Sequence, residues 1–285
     1  MEKFIEKASV LVEAIPYIHA FRRTVFVIKY GGSILHDQQI RKQVLGDIVF
    51  LSCVGIRVVL VHGGGPHISS RLKELGVISQ FHDGIRVTDQ TTLQIVTEEL
   101  DKLNKSIVQE IKELRGDVTG LKGQENIIHV EKKTASKDLG FVGTIKNVER
   151  KAIEEHIQQG CITVISPMGI STEKQTHNVN ADEVASAIAV SLKAEKLVLL
   201  TNVQGVIRDL NDPSSLISSL NVREIEKLIE QKVIQGGMIP KVQAGIEAVI
   251  GGVKKAHIVD AKLRHALLLE IFTDQGIGTQ IVNSK

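Results

Sequence analysis

The stretch Val58–His67, VVLVHGGGPH, decides how the rest of the chain is read. Val58 to Val61 carry no polar group, which is the composition of a strand covered on both faces in a parallel sheet. Gly63, Gly64 and Gly65 follow, and a backbone without Cβ atoms lets a ligand approach bare N–H groups. Pro66 suits a first helical turn, and Ile68, Leu72 and Leu75 are spaced for one buried face. Strand, glycine turn and helix start together make an anion site, because free amides and the helix dipole both favour negative charge. By itself the triplet is equally compatible with a tight turn that needs glycine for steric reasons alone.

Outward from this stretch, strand-like and helix-like segments alternate. Thr24–Lys29 (TVFVIK), Cys161–Ser166, Lys196–Thr201 (KLVLLT), Ala256–Val259 and Thr279–Val282 read as strands. Helical periods run through 38–53, through Thr91–Leu114 capped by Asp89, and through Ala181–Leu192 capped by Asn180. Further helices are predicted at about 222–234, 239–251 and 262–272. Strands at 126–130 and 141–148 bracket a lysine-rich hairpin in which Lys132, Lys133 and Lys137 read as a solvated rim, and 171–180 reads as a polar loop. This alternation predicts an α/β fold, a three-layer αβα sandwich around a largely parallel sheet. A change near residue 180 divides it into two lobes, 23–180 and 181–285. Ahead of them, within residues 1–22, Phe4, Ile5, Ala8, Leu11, Val12 and Ile15 mark an amphipathic helix. It reads equally as a helix packed on its own core or as an oligomerisation arm.

Composition excludes several function classes. The formal net charge of +2 over 285 residues is too small for a nucleic-acid binder, and the basic pairs are scattered. No apolar run approaches a membrane span. Glu2, Glu6 and Glu13 interrupt what would be a signal peptide, so the expectation is a cytosolic protein, or one encoded inside a plastid. Cys53 and Cys161 lie in apolar surroundings and are expected to be free buried thiols.

The chemistry-bearing groups cluster at strand ends and helix starts, where open α/β sheets bind ligands. They are Lys29 before Gly31 and Gly32, the triplet 63–65, Arg86, the run Asn178–Asp182, and Lys241 after Gly236 and Gly237. Each has a bland reading: an edge lysine, a surface arginine, or a helix cap with a solvated lysine. There is no GxxxxGK[ST] loop, no GxGxxG after a strand, no nucleophile signature and no His/Cys metal cage. Two lysines, glycine anion sites, one arginine and one aspartate fit phosphoryl transfer between two anionic partners, which needs positioning and cations rather than a covalent nucleophile.

Taken in order, KYGG, HGGGP, GIRVT, NVNAD and GGMIPK resemble the N-acetyl-L-glutamate kinases of the amino-acid kinase family, from about Val25 to the C-terminus. The resemblance implies ATP-dependent phosphorylation of the γ-carboxylate of N-acetyl-L-glutamate, a step of arginine biosynthesis, with Mg2+ carried by the nucleotide. It implies a substrate-binding, dimer-forming N-terminal lobe and a nucleotide-binding C-terminal lobe. By motif, Lys29 and Lys241 would flank the transferring phosphoryl group and Asp182 would hold both. Gly31, Gly32 and Gly64 would offer amides to phosphate, and Gly64, Gly65, Arg86 and Asn178 would bind substrate. The leading helix and HALLLEIFTDQGIGT (265–279) are similar to the arginine-inhibited branch, whose arm links three dimers into a hexamer. There His257, Glu270 and Gly276 would bind L-arginine, and relatives in oxygenic phototrophs bind the PII signal protein. Kinases of glutamate, aspartate, carbamate or UMP, and a non-catalytic arginine sensor, remain as alternatives. Asn202 stands where the family often shows aspartate.

Overall fold

The computed structural model describes residues 9, 12–31, 34–35, 37–209, 211–273 and 276–283. Gly32 and the helix positions Phe4, Ile5, Ala8 and Leu11 lie outside the described residues. In chain order the elements begin α1 (Ile15–Phe21), β1 (Val25–Tyr30), α2 (Gln38–Cys53), β2 (Arg57–His62), α3 (Gly65–Glu74), β3 (Phe81–His82) and β4 (Ile85–Arg86). They continue with α4 (Gln90–Glu113), β5 (Val118–Lys122), β6 (Ile128–Lys132), β7 (Gly143–Val148), α5 (Arg150–Gln158), β8 (Ile162–Ser166), β9 (Met168–Ile170) and β10 (Thr176–Asn178). The last part holds α6 (Ala181–Ser191), β11 (Lys196–Thr201), β12 (Ser219–Asn221), α7 (Val222–Glu230), α8 (Ile239–Ile250), β13 (Lys255–Asp260), α9 (Ala266–Phe272) and β14 (Thr279–Val282).

Eight strands form the main sheet in the order β12-β14-β13-β11-β1-β2-β8-β5. The strands from β13 to β5 are parallel, and β14 joins β13 antiparallel. β1 is central, paired with β2 on one side and β11 on the other. Its alternation makes the three layers. Phe26, Ile28 and Tyr30 pack with buried residues of α2, α4 and α9, whereas Val27 packs with those of α5, α6 and α8. Strand period places Lys29 on the Val27 side, toward α6. A smaller sheet, β10-β9-β6-β7, stands beside the main one. No helix among the described residues is long and apolar enough to cross a membrane.

Several expectations need correction. Residues 118–122, for which no element was predicted, form β5, one edge strand of the main sheet, half-exposed and without an apolar run. The 171–180 loop contains β10, paired with β9. The helix predicted from 262 begins only at Ala266, because His265 adopts a left-handed φ of 57°. Cys53 is exposed and Cys161 half-buried, because Cys53 lies off the Ile48–Leu51 stripe of α2 and Cys161 sits in the turn entering β8. Lys133 is no solvated rim residue; its ammonium lies 2.8 Å from Glu183 on α6.

Candidate active site

Three side chains from distant parts of the chain meet at the C-terminal end of β1. Asp182 occupies the first turn of α6, which the Asn180 side chain caps by accepting the Asp182 N–H at 2.8 Å. Lys29 Nζ lies 3.0 Å from Asp182 Oδ1, and Lys241, in the first turn of α8, donates to Oδ2 at 3.0 Å. The side chains are 9%, 6% and 18% exposed for Lys29, Asp182 and Lys241. One carboxylate therefore holds one ammonium on each oxygen, out of water. Burial would raise the Asp182 carboxyl, but the charges of Lys29 and Lys241 outweigh it and hold it below the usual carboxylate range. Burial and then the Lys29 charge push the Lys241 ammonium down, against the pull of Asp182.

The glycine turn packs against this group. A Cβ at Gly31 would lie 2.9 Å from Lys29 Nζ, and one at Gly64 would lie 2.6 Å from Leu100 Cδ2 on α4. Gly64 is the residue before α3, and no side chain caps that helix. Its first amides thus head a helix without intrahelical partners. A cavity of about 250 Å³ opens here and gathers Lys29, Gly64, Gly65, Arg86, Asn178 and Asp182. The Arg86 guanidinium is anchored on one side by Ser79 Oγ (2.7 Å), Ser69 Oγ (2.8 Å) and the Gly65 carbonyl (3.2 Å). It stacks 4.7 Å from the Phe81 ring centroid. Asn178 Nδ2 donates to Thr88 Oγ1 at 3.2 Å. A second cavity of about 610 Å³, with Lys241 on its wall, is lined by Asn202, Val206, Ile207, Ile234, Gly237 and Met238. The lysine–aspartate–lysine group joins the two.

Residues 24–260 match the amino acid kinase family. Acetylglutamate kinases from Desulforamulus reducens and Caldanaerobacter subterraneus subsp. tengcongensis are 49% and 50% identical to this chain; each match covers 98% of it, and 98% and 95% of those proteins. The chain belongs to the acetylglutamate kinases of that family. Among solved structures, the N-acetylglutamate synthase from Neisseria gonorrhoeae, complexed with coenzyme A and N-acetyl-glutamate, superposes with a TM-score of 0.87 at 27% identity. That match covers 98% of this chain but spans 64% of the synthase chain.

This kinase has a second buried polar group, on the other side of β11. His257 lies in the middle of β13, not at a strand end, with Nδ1 2.6 Å from Glu270 Oε1 and Nε2 3.1 Å from Lys196 Nζ. Glu270 is a buried residue of α9, not a surface glutamate, and its Oε2 accepts the N–H groups of Ile277 (2.7 Å) and Gly278 (3.1 Å). Gly276, at a φ of 58°, passes so close that a Cβ would lie 3.2 Å from that oxygen. Burial pushes the Lys196 ammonium down to about 8. The Lys196 ammonium lies 5.2 Å from the ring centroid of Phe21 on α1.

The structure thus gathers Lys29, Gly31, Gly64, Gly65, Arg86, Asn178, Asp182 and Lys241 around one site, and His257, Glu270 and Gly276 in a separate buried group. Sequence reasoning missed Ser69, Ser79 and Phe81 around Arg86, and Lys196 beside His257. The available signal for Lys196 was a lone lysine heading the apolar run LVLLT.

Proposed function

We propose that the chain transfers the γ-phosphoryl group of ATP to the γ-carboxylate of N-acetyl-L-glutamate, yielding N-acetyl-L-glutamyl 5-phosphate and ADP in L-arginine biosynthesis. The observation that carries the mechanism is the buried Lys29–Asp182–Lys241 group at the junction of two cavities. A carboxylate oxygen of the acceptor attacks the γ-phosphorus. The bond to the bridging oxygen breaks, and its electron pair leaves with ADP. Negative charge spreads over the transferring oxygens, where two ammonium groups and the glycine amides are already in place. Asp182 is a positioning residue: it touches no reacting atom but sets both ammonium groups. Gly31, Gly32 and Gly64 supply phosphate-binding amides, and Arg86 clamps the substrate α-carboxylate, with Gly64, Gly65 and Asn178 completing that pocket. The larger, more apolar cavity takes the nucleotide. Both Asp182 oxygens are engaged by lysines, which suits Mg2+ arriving on the ATP phosphates rather than being held by this carboxylate. In this reading residues 23–180 form the substrate side and 181–285 the nucleotide side.

The purified chain, given ATP and N-acetyl-L-glutamate, L-glutamate, L-aspartate, carbamate or UMP, is expected to phosphorylate the first preferentially. Preference for any other acceptor would overturn the reading. Arg86→Leu is expected to raise KM for N-acetyl-L-glutamate by about tenfold or more, the worth of a hydrogen bond to a charged group, while KM for ATP stays within about twofold. Equal rises in both constants would remove the assignment of Arg86 to the substrate.

The Glu270 cluster supports a regulatory site for L-arginine. A buried carboxylate suits a guanidinium, and α1 touches the cluster through Phe21, so occupancy there bears on the leading helix and the oligomer it would build. L-arginine is expected to inhibit turnover, and Glu270→Gln to raise the half-inhibiting concentration by about tenfold or more. An unchanged inhibition curve would place the inhibitor elsewhere.

A further inference from the structure

His62 ends β2, Asn104 lies halfway along α4, and the two side chains meet behind the glycine turn. The His62 ring is fully buried, with Nδ1 3.0 Å from the Gly63 carbonyl oxygen and Nε2 3.3 Å from Asn104 Nδ2. Asn104 Nδ2 also donates to the Val164 carbonyl at 3.2 Å. A carbonyl oxygen only accepts, so Nδ1 carries the ring proton and Nε2 presents a lone pair. Asn104 must then offer its nitrogen, whose hydrogens reach Nε2 and the Val164 oxygen. A reversed amide would set its oxygen against two acceptors. Its oxygen instead faces β5 at Gly120, where a Cβ would lie 2.4 Å from it, so the glycine is the space Asn104 needs. One tautomer and one amide orientation satisfy the whole network. Burial pushes the His62 imidazole down to about 4, which keeps the ring neutral at pH 7.

The Gly63–Gly64 peptide is planar and trans, so its C=O and N–H point in opposite directions. With the carbonyl turned onto the His62 ring, the Gly64 N–H faces away from it. The Gly63 N–H is already given to the Tyr30 carbonyl at 2.7 Å, and the Gly64 carbonyl accepts from Ile68 at 2.9 Å. The Gly64 amide is left for a ligand at the head of α3.

We propose that His62 is a positioning residue for phosphoryl transfer. With Asn104 fixing its tautomer, it clamps the Gly63 carbonyl and aims the Gly64 amide at the transferring oxygens. The proposal rests on the reading of Gly64 as a phosphate-binding amide given above. An interaction of this kind stabilises the transition state more than the bound substrates, so its loss lowers kcat with little change in KM.

The test uses the full chain. In 15N spectra of histidine-labelled protein at pH 7, the signal that disappears in His62→Asn is expected to show the proton on Nδ1. His62→Leu is expected to lower kcat by about tenfold or more, short of the roughly hundredfold or greater cost of deleting an oxyanion donor. KM for both substrates should stay within about twofold. His62→Asn, whose amide nitrogen occupies the place of Nδ1, should recover part of that kcat. Asn104→Asp sets an acceptor against Nε2, and is expected to move the proton there and lower kcat in step. This variant decides the matter if His62→Leu does not fold. A wild-type proton on Nε2, or an unchanged kcat in folded His62→Leu or in Asn104→Asp, would overturn the proposal. If Lys29→Met loses activity while these variants keep it, only the positioning role falls. If Lys29→Met keeps full activity, the phosphoryl-transfer reading falls with it.

Discussion

In the Asp182→Asn variant kcat is expected to fall by about 10²–10³-fold or more, and its alkaline limb to move to lower pH. Among the described residues the carboxylate is the only negative partner of Lys29 and Lys241, and it lies at 3.0 Å from each. An amide keeps the shape but removes the charge that opposes burial of the ammonium groups. Lys241 is already pushed down by burial and by Lys29, so without Asp182 it falls further. Since the reaction needs the ammonium form, activity is lost as pH rises through a now lower value. Breaking a buried ion pair by removing one partner also costs about 3–5 kcal/mol, so the melting temperature should drop as well. A variant with an unshifted alkaline limb and a near-normal rate would show that Asp182 does not govern the two cations.

Lys29→Met is expected to lower kcat about a hundredfold or more as well, yet to move the alkaline limb the other way. Removing Lys29 deletes the like charge that holds the Lys241 ammonium down, while Asp182 remains to pull it up. The pH at which residual activity disappears therefore rises. Paired pH profiles of kcat for the two variants separate a charge-coupled group from three residues that merely line a cleft. Shifts in the same direction in both variants would contradict the coupling drawn here.

Much of the fold was legible because the central strands are covered on both faces. TVFVIK, VVLV and KLVLLT contain almost nothing but apolar residues, and they lie side by side as β1, β2 and β11 within the sheet. β5 was hidden because an edge strand is half-exposed and this one contains Gly120, placed there for Asn104 rather than for the strand. The individual site residues could be named from motifs, but their meeting could not be read from spacing. Lys241 and Asp182 are 59 positions apart, and only the packing of α6 and α8 on the same face of the sheet joins them. Buried polar residues were the least visible. Asn104 sits on the same helical stripe as Leu100, Leu103 and Ile107, and His62 closes an apolar strand, so apolar periodicity passes over both.

The seam between β1 and β11 has a mechanical consequence. Phe26 to Lys29 pair in register with Lys196 to Leu199, so the stretches before and after residue 180 are zipped into a single ladder instead of dangling from a peptide tether. A chain nicked in the exposed turn at 172–174 is therefore expected to leave a sizing column as one particle.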